Sequence, residues 1–208
     1  MLTRSTFTFI ALFSSVSVFI VACGGNSMAE EKKDDITKLR EKENEDFVSR
    51  GHYLVNISGC NDCHSPKKFS ARGPEVDSPR LLSGHPSDIP LESFNANALK
   101  PMHWIQMAPD VTSFVGPWGV SFAANLTPDS TTGIGAWTEE VFIKAVRTGK
   151  HLGQENGRPI LPPMPWPQFT KMTDNDIKAV YAYLRSLSPI HNRVPVPLSP
   201  QEAAKLAK

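Results

Sequence analysis

The sequence holds 208 residues, 40% of them apolar, with eighteen prolines, thirteen glycines and a formal net charge of +1. That is enough chain for one domain of ordinary size with extensions, and enough apolar material for a core. From Phe47 onward there are sixteen basic and thirteen acidic residues, which excludes the strongly basic surface that a nucleic-acid partner requires.

The N-terminus reads as a targeting segment. Arg4 is the only charge before Glu30, and Phe7 to Ala22 is almost wholly apolar or small. That run is shorter than the ~20 residues needed to span a bilayer as a helix, so residues 1–22 have the pattern of a signal peptide. The run ends Val21-Ala22-Cys23-Gly24-Gly25, similar to a bacterial lipoprotein cleavage site. Cys23 would then open the mature chain and carry lipid, on the periplasmic side of a bacterial membrane. The alternative is an ordinary signal peptide cut near Ala29 and a soluble periplasmic protein. Residues 23–45 follow as a charged tether, expected to be solvated. A charged helix continuing into the domain is the other reading of its second half.

A first helix is expected from about Asn44 to Ser58, with Phe47, Gly51, Leu54 and Ser58 near helical spacing. It leads into Cys60-Asn61-Asp62-Cys63-His64. C-x-x-C-H is the attachment signature of c-type haem. Two thiols three residues apart reach the two vinyl groups of one porphyrin, and the adjacent imidazole is held beneath the ring as an axial ligand. Of the three cysteines, two serve this motif and one the anchor. No free thiol and no disulfide remain.

From Ser65 to about Gly119 no periodicity persists, and prolines and glycines punctuate an irregular excursion. Its apolar residues (Phe94, Trp104, Ile105, Phe114, Trp118) favour ordered packing, and Ser93 to Trp104 reads as one short helix. A helix is predicted over Glu139–Thr148, capped by Thr138 and stopped by Gly149. Then Leu161-Pro162-Pro163-Met164-Pro165-Trp166-Pro167 forbids helix and strand pairing and presents Met164 from a stiff extended loop. The last helix begins after the cap Thr173 and carries Ile177, Val180, Tyr181 and Leu184 on one face. Residues 191–208 read as a proline-spaced tail on the surface.

An iron held by His64 needs a second axial ligand. Met164 alone among the methionines has a rigid loop built around it, and His/Met ligation raises the reduction potential over bis-imidazole. His151 is the rival, and an open site is the third possibility. Met28, Met102, Met107 and Met172 read as tether or packing residues. Donors to the haem propionates are sought among Arg147, Arg158, Trp137 and Trp166. A thioredoxin-like pair lacks its preceding strand, and a zinc site lacks a second C-x-x-C.

With these residues in order, the chain resembles class I cytochromes c over about residues 46–190. It is more similar still to a bacterial subgroup of larger exported cytochromes. The subgroup's signposts are Asn125-Leu126-Thr127-Pro128-Asp129, Gly133-Ile134-Gly135 before Trp137, Arg147-Thr148-Gly149, Pro162-Pro163-Met164-Pro165-Trp166 and Ala182-Tyr183-Leu184-Arg185. The resemblance implies an all-α fold with a long, mostly irregular insertion (residues 65–119) between the haem motif and the methionine loop. It also implies first and last helices that cross closely, with Gly51 admitting Tyr181 or Tyr183. One C-x-x-C-H allows one covalent haem c. The expected function is a membrane-tethered electron carrier serving redox protein partners and transforming no substrate. The alternatives are an electron-transfer subunit of an exported dehydrogenase or oxidase, whose excursion would be a docking surface, or an open-iron peroxidase or sensor.

Overall fold

A computed structural model describes residues 25–208. The signal segment and Cys23 lie outside the described residues. The chain divides between Leu39 and Arg40 into two units. The described part of the first is helical, with exposed side chains from Lys32 on. Helix α1 has the bounds Gly25–Ile57, well upstream of the expected start at Asn44. Glu, Lys and Arg are good helix formers, and neither glycine nor proline interrupts residues 26–50.

In the second unit, three helices enclose the first core. They are the end of α1, α3 (Glu139–Thr148) and α5 (Asp174–Ser186). Val55, Leu82, Ile134, Phe142, Ile177 and Leu184 are buried together there. Both predicted caps form. Thr138 accepts from Val141 N–H, and Thr173 accepts from Asp176 N–H. Gly149 closes α3 with a φ of 65°. A Cβ on Gly51 would overlap the Ala179 carbonyl of α5. The glycine therefore admits the backbone of the last helix, not only an aromatic ring.

The all-α expectation is overturned. The described chain is 41% helical and 12% strand, with two small antiparallel sheets. β1 (Lys67–Ser70) pairs with β2 (Gly73–Val76), placing Lys67 opposite Val76 and Ser70 opposite Gly73. β3 (Gln106–Met107), β4 (Ser113–Gly116) and β5 (Gly119–Phe122) form the second sheet in that order. Strands of two to four residues are too short to show alternation, which needs a longer window. Where a short helix was read in Ser93–Trp104, a single 3₁₀ turn spans Ala96–Leu99.

The second sheet has its own core of Phe94, Ala98, Val115, Val120 and Ala203. Ala203 lies in α6 (Pro200–Ala204), within the C-terminal tail, and is fully buried. Leu198 and Val120 exchange backbone hydrogen bonds of 3.0 Å in both directions. The tail is therefore fastened structure, mostly exposed but anchored at Asn192, Leu198 and Ala203.

Candidate functional site

Gly59, at φ 68°, separates α1 from the short helix α2 (Cys60–His64). The left-handed turn is natural to glycine, and it lets the chain reverse into the motif within two residues. Helix α2 holds Cys60, Cys63 and His64 within a little over one turn. Both thiols are unpaired and half-buried. Burial pushes Cys60 up to about 11, and Cys63 is raised by the same cause. In the chain alone both sulfurs are thereby kept as thiols. Among the described residues no group of three or more His, Cys, Asp or Glu is placed to hold a metal ion.

His64 is buried, with its Nδ1 2.8 Å from the Ala124 carbonyl oxygen. A carbonyl only accepts, so Nδ1 carries the proton and Nε2 keeps its lone pair. Burial also lowers the imidazole pKa, favouring the neutral form. A buried, neutral histidine with its tautomer fixed by a backbone acceptor is the donor that an iron requires. The residues present fit a haem.

The excursion holds this helix in place. The His64 carbonyl accepts from Gly84 N–H at 2.8 Å, and Ser65 Oγ accepts from Leu82 N–H at 2.9 Å. His85 N–H donates to Ala123 O, and Leu126 N–H donates to Leu82 O, both at 2.9 Å. Residues 82–85 and 123–126 thus run side by side against α2. Gly84, at φ 78°, is required there, because a Cβ would strike the Ala123 and Ala124 backbone. Asn192, from the tail, donates to the carbonyls of Ser83 and His85 and accepts from Ser87 N–H.

Met164 is half-buried. Its N–H donates to Leu161 O at 3.3 Å. The loop is less extended than expected, since α4 (Trp166–Phe169) begins two residues later. Ile160 N–H donates to Gly149 O at 2.7 Å, and the Trp166 ring fills the space where a Cβ on Gly149 would lie. The loop is therefore fastened to the end of α3. On its other side Ser121 Oγ of β5 donates to the Pro162 carbonyl at 2.6 Å and accepts from the Trp118 indole at 3.1 Å.

The remaining candidates sort by their contacts. Arg147 is engaged elsewhere: it donates to the Thr170 and Met172 carbonyls and pairs with Asp174, joining α3 to the start of α5. That removes it from the propionate donors. Arg158 is exposed, with only the Pro159 carbonyl at 3.3 Å. His151 packs its ring edge-on against Trp137 at 5.5 Å. Met172 packs against the helical core. Ala124 and Ser121 carry no signal in the sequence, because a backbone acceptor and a serine in a short strand form no motif, and Trp118 reads there only as a packing residue.

The family model described as Cytochrome c matches residues 48–188. This chain belongs to the cytochrome c family. Membership implies a covalently bound haem and one-electron transfer in place of substrate turnover. The chain is 29% identical over 167 residues to the gluconate 2-dehydrogenase cytochrome c subunit of Pantoea cypripedii, covering 76% of this chain and 29% of that protein. It is 29% identical over 154 residues to the cytochrome c subunit of the quinone alcohol dehydrogenase of Gluconobacter oxydans, covering 73% and 24%. The fructose dehydrogenase cytochrome subunit of Gluconobacter japonicus is 28% identical over 137 residues, covering 66% and 20%. The chain thus spans less than a third of the length of these curated relatives. Among the described residues no helix is long and apolar enough to cross a membrane.

Proposed function

We propose that this cytochrome carries one haem c, attached through Cys60 and Cys63 and ligated by His64 and Met164, and passes electrons between redox proteins at a membrane. The observation that carries the reading is the His64–Ala124 hydrogen bond of 2.8 Å, which frees Nε2 for a metal. When bound, the haem supplies reversible one-electron exchange between ferric and ferrous iron. His64, locked in one tautomer, keeps the same ligand geometry in both states. Met164 would supply the iron's other ligand, and a thioether there would raise the reduction potential over that of a bis-histidine site. The buried wall of Val55, Leu82 and Ile134 beside half-buried Cys60 limits water around the ring. Arg158 is the remaining arginine to meet a propionate. Cys23 is the lipid anchor, and residues 24–45 are the tether that raises the effective concentration of membrane partners.

A second reading makes the chain the electron-transfer subunit of a dehydrogenase. The names of the three relatives support it. So does an exposed apolar strip in the excursion, Met102, Trp104, Ile105 and Met107, ending on the short strand β3. Exposed apolar side chains that gather into a patch mark partner sites.

The test is expression with haem-maturation machinery, followed by spectra of wild type and Met164→Ala. Wild type is expected to bind haem covalently and show the ferric methionine–iron charge-transfer band near the red edge, and the variant to lose that band. A wild type without covalent haem overturns the whole reading. A variant with an unchanged spectrum overturns the methionine assignment. For the second reading, reduction by a purified dehydrogenase catalytic subunit is compared between wild type and Trp104→Ser. A slower rate is expected only if the strip docks.

A further inference from the structure

We propose that Ser121, seated by Trp118, is a positioning residue for the sixth ligand. Residues 119–124, strand β5 with the two residues after it, would then be the brace behind both proposed ligands. The inference rests on the reading of Met164 as the ligand.

Three observations combine. The Ser121 hydroxyl has one hydrogen. It donates that hydrogen to the Pro162 carbonyl at 2.6 Å, two residues before Met164. The Trp118 indole N–H, which can only donate, occupies the hydroxyl's acceptor side at 3.1 Å, so the serine hydrogen has no competing direction. Ser121 itself is buried, which limits water at the donor end of the bond. Three residues further along the same chain, the Ala124 carbonyl orients His64. At ~3.3 Å per residue the two supports lie within about 10 Å of each other. One continuous piece of backbone thus touches the element behind each ligand.

The brace is itself held against drift. Val120, next to Ser121, is fully buried and exchanges two hydrogen bonds with Leu198. Ala123 N–H donates to Thr112 O at 2.8 Å, and Ala123 O accepts from His85 N–H at 2.9 Å. Strand β5 also pairs with β4 through four residues, Ser113 opposite Phe122 to Gly116 opposite Gly119. These contacts give the insertion a task. A thioether is a weak ligand that stays on iron only when its loop is prevented from opening, and the sheet of the insertion supplies that restraint. The prolines around Met164 stiffen the loop internally; Ser121 fixes where the stiff loop sits.

The experiment uses the full haem-loaded protein in four forms: wild type, Ser121→Ala, Ser121→Thr and Trp118→Phe. Three quantities are read: the red-edge charge-transfer band, the midpoint potential, and the imidazole concentration that displaces the sixth ligand in the ferric state. Loss of one buried hydrogen bond is expected to let imidazole displace methionine at about 5- to 10-fold lower concentration in Ser121→Ala. The band should weaken and the potential fall. Trp118→Phe, which leaves the hydroxyl in place but frees its rotation, should move all three in the same direction by less. Ser121→Thr, which keeps the hydroxyl, should restore them. Met164→Ala serves as the reference. If Met164→Ala leaves the band intact, the ligand reading fails. If Met164→Ala abolishes the band while Ser121→Ala and Trp118→Phe leave band, potential and displacement as in wild type, the brace fails by itself. A Ser121→Ala protein that does not accumulate leaves Trp118→Phe to decide on the same three readouts.

Discussion

At the scale of single residues, hydrogen bonds decide more than charges do. Asp129 shows how. One of its carboxylate oxygens, Oδ1, accepts from the N–H of Thr131 and Thr132 at 3.1 and 2.7 Å and from their hydroxyls at 2.9 and 2.7 Å. The hydroxyl of Thr132 is the largest cause holding the carboxyl well below its ordinary 3.8. A depressed carboxylate pKa stabilises the fold above the unfolded value and withdraws that stability as pH falls through the folded one. Wild-type stability should therefore decline as pH drops below about 4, and Asp129→Asn should show a shallower decline there and lower stability at pH 7. Urea melts at several pH values read both, and parallel pH profiles for the two proteins would refute the assignment. Gly51 makes a different demand. Because a Cβ there would overlap the α5 backbone, Gly51→Ala should lose about 2–3 kcal/mol of stability through displaced helices. A substitution that costs nothing in denaturant would show that the helices separate freely.

At the scale of elements, legibility followed length. Helix α3 was readable at both ends and α5 at its start, because their caps and apolar periods repeat over ten and thirteen residues. The motif of α2 was readable because covalent chemistry fixes its spacing. The sheets were not, since β3 to β5 are defined by what lies across from them and not by any pattern along the chain. Asn192 is the plainest example. No local signal marks it, yet it binds Ser83 O at 2.7 Å, His85 O at 2.8 Å and Ser87 N–H at 2.9 Å. It thereby holds the 82–87 segment that supports α2. Asn192→Ala strands the buried carbonyls of Ser83 and His85 and frees the part-buried Ser87 N–H, and at about 1 kcal/mol for each buried group the loss should be near 2 kcal/mol. Hydrogen exchange should show faster opening at Gly84 and His85, with α3 and α5 less affected. Uniform acceleration across the chain would place Asn192 in the global core instead.

At the scale of the whole second unit, the two ends of the sequence serve the same centre from different sides. The helical core, built from Val55, Phe142, Ile177 and Leu184, carries the attachment helix. The sheet core of Phe94, Val115, Val120 and Ala203 carries the strand that reaches toward both proposed ligands. Residues 198–208, which in sequence look dispensable, close the second core, while Asn192 upstream of them holds the 82–87 segment. A chain ending at Pro197 loses Leu198 from Val120 and Ala203 from its buried site. Deleting these contacts should cost about 2–4 kcal/mol, yet Cys60, Cys63 and His64 keep their own surroundings. The truncated protein should therefore still take up covalent haem, unfold at lower urea, and show a weakened methionine–iron band. Strand β5 would keep its β4 pairing but lose its outer partner beside Ser121. Measuring haem content, urea midpoint and band intensity on one preparation separates the two cores. A truncated chain that loses haem attachment together with the band would mean that the sheet supports α2 as directly as it supports the methionine loop.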